Sequence, residues 1–217
     1  MSGVFDSIPA FRPSCTTLRG GLVDDGLRTR WQNAGERTPM TTLSGLGRQI
    51  AEVASLLNRL GLPFALIGGL ALASYQVIRA TQDVDLLVPA EKADEIEAGL
   101  LQLGYRCLHR SENAGNYVRA SERIDLLYAS RPIARRLLVQ ARALQTSLGD
   151  LRVVSAEGLI GFKLQGWVND AERTQDLEDI KALLRANRAH LDLDEVRQYF
   201  ALFDMEGLLD EFLRALP

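Results

Sequence analysis

Two aspartates, Asp83 and Asp85, stand one residue apart at the head of the apolar run 84–88. If this run is a β-strand, both side chains point to the same face, with about 7 Å between their Cα atoms. Buried strands rarely carry two carboxylates on one face, because like charges repel and their desolvation is costly. Two carboxylates that converge on one spot either share a proton or hold a divalent cation, since either removes the repulsion. The pair therefore indicates acid–base or metal chemistry.

A third carboxylate, Asp125, lies in another apolar run, 124–127. If this strand pairs beside the strand that carries Asp83 and Asp85, three acids meet at one rim of a sheet. Three such acids are the ligand set for two Mg2+ ions about 4 Å apart, which would hold a phosphate and an attacking oxygen for an in-line displacement. Asp83, Asp85 and Asp125 are therefore the candidate catalytic and metal-binding residues.

Two adjacent glycines, Gly68 and Gly69, follow the short apolar run 64–67. They are predicted to close a strand and open a helix, so that free backbone N–H groups and the helix dipole face an anion. Because glycine has no side chain, the backbone there can approach a triphosphate closely. The glycine pair therefore predicts a phosphate-binding turn beside the carboxylates.

The elements that must position these residues follow from the apolar periodicity. Short strands are predicted at 64–67, 84–88, 105–108, 117–120, 124–128 and 151–154. Helices are predicted at 43–60, 70–75, 90–103, 132–144, 159–168, 175–185, 193–203 and 206–216.

These elements indicate an α/β (α+β) layout in three parts. Residues 1–42, with three prolines, five glycines and no sustained period, are predicted to be an irregular arm. Residues 43–155 are predicted to form the core, a small mixed sheet flanked by helices. Residues 156–217 are predicted to form a helical C-terminal region.

The glycine pair, the spacer and the Asp-x-Asp together resemble the nucleotidyltransferase fold shared with DNA polymerase beta. The string Arg-Ala-Thr-Gln-Asp-Val-Asp-Leu-Leu-Val at 79–88 is similar to bacterial minimal nucleotidyltransferases, including abortive-infection toxins of the AbiEii type. The segments 162–164 and 173–180 resemble the helical part of those proteins, and the resemblance covers about residues 60 to 185. Relatives often carry a histidine at the position of Tyr75 and a proline at that of Ile78. These departures leave the expected metal and phosphate binding intact, but a role that a histidine at position 75 would have in the acceptor site does not carry over to this chain.

The resemblance implies Mg2+-dependent transfer of a nucleoside monophosphate from a nucleoside triphosphate to an acceptor hydroxyl, with release of pyrophosphate. Asp83 and Asp85 would bind both metal ions, and Asp125 would hold the catalytic metal or take the acceptor's proton. Lys163 lies in an apolar helix and either reaches solvent or reaches a phosphate, and the resemblance favours the phosphate. The residues expected to bind the nucleotide are Gly68, Gly69, Arg79, Thr81, Lys163, Arg173 and Asp176.

Arg79 and Thr81 are also consistent with purely structural roles. An arginine at a helix end and a capping threonine would look the same in sequence as phosphate-binding residues.

Composition narrows the class of protein. The net charge of −3 over 217 residues argues against a wholly basic nucleic-acid binder. No apolar run approaches the roughly 18 residues that span a bilayer, and the N-terminus lacks the pattern of a signal peptide. Cys15 and Cys107 are isolated, so neither a disulfide framework nor a metal-ligand spacing is present. We expect a cytoplasmic protein without a membrane partner.

Positive charge is concentrated in one segment of the sequence, and this concentration is relevant to the kind of acceptor. Residues 106–152 contain nine arginines and four acids. If Arg131, Arg135 and Arg142 lie along one predicted helix, their spacing puts them on one face, and this face could track an RNA backbone. A solvated helix face is the alternative interpretation.

The 3′ end of tRNA or of another RNA is the favoured acceptor, in the manner of a toxin with a cognate antitoxin. A protein hydroxyl and a small molecule such as an antibiotic remain open. The other class of function is a non-catalytic binding module or antitoxin partner that keeps the fold.

Overall fold

The computed structural model describes residues 45–146 and 149–216, without the side chains of residues 145, 149 and 150. The predicted arm at residues 1–42, with Cys15, lies outside the described residues. Among the helices of the described part, none is long and apolar enough to cross a membrane.

One mixed sheet of seven strands organises the described residues, in the order β3-β4-β5-β2-β1-β7-β6. The two central pairs β2–β5 and β1–β7 are parallel, and all other neighbours are antiparallel. The strands are β1 (Ala65–Leu66), β2 (Asp83–Pro89), β3 (Arg106–Arg110), β4 (Ala114–Arg119), β5 (Glu122–Ala129), β6 (Arg142–Thr146) and β7 (Gly149–Val153).

Eight α-helices flank or follow the sheet in the described residues, and a short 3-10 turn at Ala90–Lys92 precedes the third. The helices are α1 (Gly45–Arg59), α2 (Gly68–Ala73), α3 (Ala93–Gln102), α4 (Pro132–Gln140), α5 (Ala156–Asn169), α6 (Thr174–Asn187), α7 (Leu193–Ala201) and α8 (Glu206–Ala215). The predicted α/β fold with a mixed sheet and a helical C-terminal part is confirmed.

Helix α1 shows how the apolar spacing produces these elements. Ile50, Val53 and Leu57 recur every three or four residues and are buried against the core. The chain leaves the helix at Gly61, whose φ of +65° is accessible to glycine at little cost. The buried face therefore fixes how α1 covers the sheet.

The central strands β2 and β5 are the rigid base of the candidate site. Val84, Leu86 and Val88 alternate along β2 and are almost completely buried. The parallel register runs from Asp83 opposite Arg123 to Pro89 opposite Ala129. Because both strands lie inside the sheet, side chains at their amino ends are held in fixed relative positions.

The helix predicted at 132–144 is wrong at its C-terminal end. It stops at Gln140, and the next residues form β6, which pairs antiparallel with β7. The guanidinium of Arg152 donates hydrogen bonds to the main-chain oxygens of Val139 and Ala141, so it caps the last turn of α4. The short strand forms because the edge of β7 offers backbone partners, which a helical period in the sequence cannot reveal.

The C-terminal helices belong to the same core as the sheet. Ser155 caps α5 by accepting a hydrogen bond from the N–H of Gly158 at 3.1 Å. Helices α6 and α7 pack on α5, α8 packs on α7, and α5 also contacts α2. Buried residues of α5, α6 and α7 join the sheet residues in one hydrophobic cluster. This packing brings α5 and α6 to the end of the sheet that carries the aspartates.

Candidate active site

The three predicted aspartates lie at one rim of the sheet. Strand β5 pairs directly with β2, as the prediction required, and Asp125 stands opposite Asp85 in the parallel register. Residues in register on parallel strands point to the same side of the sheet, and Asp83 shares the face of Asp85. The charges of the three carboxylates act on one another, since each of the pairs contributes to a raised pKa at the site.

Asp125 is the most enclosed of the three, with 7% of its surface exposed. Its Oδ1 accepts a hydrogen bond of 2.6 Å from Nδ2 of Asn116 on β4. The sequence interpretation missed Asn116. Counting outward from the turn between Arg119 and Glu122 would have placed it opposite Asp125, as the antiparallel register does.

Two carboxyl groups at the site, those of Asp85 and Asp125, have a raised pKa. Burial raises the pKa of Asp85 from its ordinary value to about 7, and repulsion from Asp125 and Asp83 adds to this, against the charge of Lys163 and a hydrogen bond from the N–H of Gly69. Burial also raises the pKa of Asp125, and the hydrogen bond from Asn116 opposes that rise. A bound cation would relieve this repulsion, because it favours the ionised carboxylates.

The glycine pair packs directly on these carboxylates. Gly68 has a φ of +61°, and a Cβ atom at this position would lie 2.1 Å from Oδ2 of Asp85. A Cβ on Gly69 would lie 2.8 Å from both Cβ and Oγ1 of Thr81. Both positions therefore require glycine. The pair forms the first turn of α2, two residues earlier than the predicted helix.

The N–H of Gly69 is already bonded to the carboxyl group of Asp85. The turn that was predicted to present free amides to a phosphate is thus partly occupied by an aspartate. Thr81, packed on Gly69, links the residues before β2 to this turn.

Four of the other predicted nucleotide-binding residues meet in one ionic network at the junction of α5 and α6. Nζ of Lys163 lies 2.8 Å from Oδ1 of Asp176, and Nε of Arg173 donates to Oδ2 of Asp176 at 2.6 Å. Arg79 reaches the network through Asp179, with 3.4 Å between Nε and Oδ2. Lys163 and Arg79 thus face carboxylates in the structure, where the sequence predicted phosphates.

Asp179 was not among the predicted site residues. Its side chain is 2% exposed, and its Oδ2 lies 2.8 Å from Nζ of Lys163. The signal was present in the sequence, because Asp179 follows Asp176 by three residues on a helix and so shares its face. A buried acid on the face of another buried acid requires cations nearby.

The donor set at the rim suits a hard divalent cation, because it consists of carboxylate oxygens. In the described part of the chain, no three His, Cys, Asp or Glu side chains come together in a way that would hold a metal ion by themselves. The fit therefore rests on the chemistry of the three acids, and on the burial and mutual repulsion that raise the pKa of Asp85 and Asp125. By that test the three acids suit a hard divalent cation only if further ligands come from outside the three side chains.

The arginine-rich segment is arranged differently from the prediction. Arg131 precedes α4 as its N-cap residue, Arg135 and Arg136 lie in α4, and Arg142 lies in β6. The predicted single helical face of Arg131, Arg135 and Arg142 is therefore wrong, because the helix ends before Arg142.

Several arginines of this segment serve internal contacts. Nε of Arg135 donates to the main-chain oxygen of Ala129 at 3.2 Å, and Arg136 lies 3.6 Å from Glu195. Arg119 pairs with Glu52 and Glu122. These contacts hold helices and strands together, so the excess of arginine is partly structural.

A polar cleft opens among the end of α4, the start of β6, the start of α5 and the residues around the start of α7. Its volume is about 380 Å3, within the range of small-molecule sites. Two residues of the cleft wall, Arg142 and Glu157, act through their charges on the hydroxyl group of Tyr75, which follows α2. The cleft is lined by Leu137, Gln140, Arg142, Ser155, Glu157, His190, Asp192 and Glu195.

Comparisons with known proteins agree with this architecture. Residues 14–214 match a family described as "Uncharacterised nucleotidyltransferase". No curated protein sequence matches the chain.

Solved structures of two other proteins share the fold. The antibiotic-resistance factor ANT(2″)-Ia is 19% identical, with a TM-score of 0.56 over 77% of this chain and 96% of that chain. A crystal structure of ANT(2″)-Ia in complex with adenylyl-2″-tobramycin is also similar, with 19% identity and a TM-score of 0.55 over 74% and 98% of the two chains. An antigenic nucleotidyltransferase-like protein from Paracoccidioides brasiliensis is 20% identical, with a TM-score of 0.50 over 79% and 93%.

Proposed function

The chain belongs to the uncharacterised nucleotidyltransferase family, and from that membership we propose that it moves a nucleoside monophosphate from a nucleoside triphosphate to an acceptor hydroxyl. The observation that carries the proposal is the in-register pair Asp85 and Asp125, with Asp83 on the same face and the glycine turn packed against Asp85. This arrangement supplies carboxylates and backbone amides at one point, which phosphoryl transfer requires.

Asp83 and Asp85 are proposed to hold two Mg2+ ions, and Asp125 to hold one of them or to accept the proton of the acceptor hydroxyl. When bound, the ions would supply charge stabilisation to the phosphates. In the transfer, the acceptor oxygen forms a bond to the α-phosphorus, and the bond from that phosphorus to the bridging oxygen of pyrophosphate breaks. The raised pKa of Asp125 suits it to take a proton, and Asn116 holds its carboxyl in place.

The remaining predicted residues are proposed to bind the triphosphate. Gly68 and Gly69 let the chain approach the phosphates closely, and Thr81 supports the turn. Lys163, Arg79 and Arg173 bring positive charge to the rim, while Asp176 orients Lys163 and Arg173. The charge of Lys163 already acts on Asp85, which supports its place near the phosphates.

RNA, with the 3′ end of tRNA foremost, is one proposed acceptor, and it is the one that an AbiEii-type toxin activity with a cognate antitoxin would use. The support is the excess of nine arginines over four acids at 106–152. The internal contacts of Arg119, Arg135 and Arg136 reduce that support.

A small molecule such as an antibiotic is the second proposed acceptor. The polar cleft between α4, β6 and the start of α5 favours it, because its volume and its mixture of acids with Arg142 and His190 suit a polar ligand with amino and hydroxyl groups. The similar protein ANT(2″)-Ia has been solved with adenylyl-2″-tobramycin. A non-catalytic module is the remaining alternative.

The experiment is a transfer assay with the four nucleoside triphosphates, each labelled at the α-phosphate, in the presence of Mg2+. The acceptors are total RNA, tobramycin and a protein extract, in separate reactions. We expect label in one acceptor class with the wild-type chain and none with Asp85→Asn. Label in RNA or in tobramycin decides between the two acceptors, whereas binding of nucleotide without transfer to any acceptor would favour the non-catalytic module.

A further inference from the structure

Asp179 joins two cations that come from distant parts of the chain. Its Oδ2 lies 2.8 Å from Nζ of Lys163 on α5 and 3.4 Å from Nε of Arg79, which precedes β2. The side chains of Asp179 and Lys163 are 2% and 10% exposed. A single buried oxygen thus lies between the helical part and the chain segment that leads into Asp83.

The two carboxylate oxygens of Asp179 differ in their hydrogen bonding. Oδ1 of Asp179 accepts a hydrogen bond of 3.1 Å from Nε2 of Gln175. Oδ2 is the one buried side-chain oxygen or nitrogen of the described residues that has no hydrogen-bond partner of suitable direction. Its contacts with Lys163 and Arg79 are therefore ionic contacts. A buried charge held in this way costs stability unless it stays close to opposite charges.

Lys163 lies near the carboxylate rim, and Arg79 lies in the chain segment that leads into it. The charge of Lys163 reaches Asp85, and Arg79 stands four residues before Asp83. Asp176 also holds Lys163, at 2.8 Å, but it turns its other oxygen to Arg173. Among the described contacts, Asp179 is the acid that contacts both Lys163 and Arg79.

We propose that Asp179 is a positioning residue that holds Lys163 and Arg79 toward the triphosphate. This inference rests on the proposed function, since it assumes that a nucleoside triphosphate binds at the rim. Asp179 itself does not touch the nucleotide. It acts by fixing the two cations before the phosphates arrive, so that little ordering remains to be done on binding.

The direction in which one substitution changes the affinity for a triphosphate distinguishes a positioning role of Asp179 from a purely electrostatic one. Removal of a negative charge near a phosphate site strengthens binding of a triphosphate if the charge acts only through its field, because phosphate and carboxylate repel. Removal weakens binding if the carboxylate holds the cations in place. A role confined to folding lowers the melting temperature and leaves the affinity of the folded protein unchanged.

The test is isothermal titration of the full chain with each of the four nucleoside triphosphates in Mg2+, using the one that the wild-type chain binds most tightly. We expect Asp179→Asn to bind it about tenfold more weakly, the effect of losing one charge-assisted contact. The matched control is Glu178→Gln, which removes the same charge from the exposed side of α6, where Glu178 pairs with Lys181. We expect this control to bind like the wild-type chain.

Gln175→Ala keeps the test decisive if Asp179→Asn does not fold. This variant retains every charge of the network and removes the hydrogen bond that orients Asp179, so we expect binding about two- to threefold weaker. Unchanged or tighter binding by a folded Asp179→Asn, or by Gln175→Ala in its place, overturns the inference. Absence of binding by the wild-type chain to any of the four triphosphates instead removes the proposed function, and the inference with it.

Discussion

The backbone of Gly68 lies against the carboxyl group of Asp85 so closely that a Cβ on Gly68 would be 2.1 Å from Oδ2 of Asp85. The left-handed φ of +61° at Gly68 allows this approach. One glycine therefore shapes both the turn into α2 and the position of a candidate metal ligand. Substitutions at these two residues test different consequences of the contact.

Gly68→Ala is expected to displace Asp85 and to strain the turn. The positive φ and the clash with a carboxyl group lead us to expect a loss of stability of about 1–3 kcal/mol and a larger fractional loss of transfer activity. Thermal unfolding and the transfer assay measure the two effects. Gly207→Ala in α8 is the control, because a Cβ there meets nothing within 4 Å. We expect the control to be active and slightly more stable, and normal activity of Gly68→Ala would contradict the site.

Asp85→Asn is expected to lower transfer by more than about a hundredfold and to leave the fold intact. In metal-free buffer the variant should be as stable as the wild-type chain or more stable, because one of three repelling charges is removed. Circular dichroism and thermal unfolding in EDTA check the fold, and the labelled-nucleotide assay checks the activity. Wild-type transfer by this variant would show that Asp85 is not a metal ligand.

In the metal-free protein, the contribution of Asp85 to the free energy of unfolding is expected to fall as the pH rises from about 4 to about 7. In this range the folded state keeps the proton of Asp85, whose pKa is raised to about 7, while the unfolded state releases it near pH 4. The folded state thus binds more protons, so this contribution to the free energy of unfolding decreases with pH and levels off above about 7. Asp125 contributes with the same sign, since its pKa is also raised.

Urea unfolding in EDTA at several pH values measures this dependence. Asp85→Asn should flatten the slope between pH 4 and 7, since asparagine does not titrate. An equal slope in the variant would mean that the carboxyl group of Asp85 ionises in the folded protein as it does in water.

Mg2+ and a nucleoside triphosphate are expected to stabilise the protein together more than either does alone. The three acids offer Mg2+ few ligands by themselves, whereas the triphosphate adds oxygens to the metal and contacts to the glycine turn. Thermal unfolding with millimolar Mg2+, triphosphate, or both measures the effect, with Asp83→Asn as the variant that should lose it. An unchanged melting temperature in all mixtures would favour a non-catalytic module.

Local spacing in the sequence determined the chemistry of the site. Asp83 and Asp85 share a face because side chains alternate along any strand, and the glycine pair marks a place where the backbone must approach closely. These features depend on neighbours in the chain, so they could be predicted without knowing the fold. Apart from β6, the order of the elements followed from apolar periodicity for the same reason.

The tertiary structure decided which distant residues meet. The register of β2 and β5 put Asp125 opposite Asp85, and the β4–β5 hairpin supplied Asn116. The packing of α6 on α5 turned Lys163 toward Asp176 and Asp179, two partners that the sequence did not assign to this lysine.

The same distinction explains the error at the end of α4. The residues 142–146 became a strand because the edge of β7 was there to pair with them, and Arg142 left the predicted helical face as a result. Register, edge pairing and ion pairing between helices depend on residues far apart in the chain. Periodicity reports on one element at a time, and only the packed structure brings such residues together.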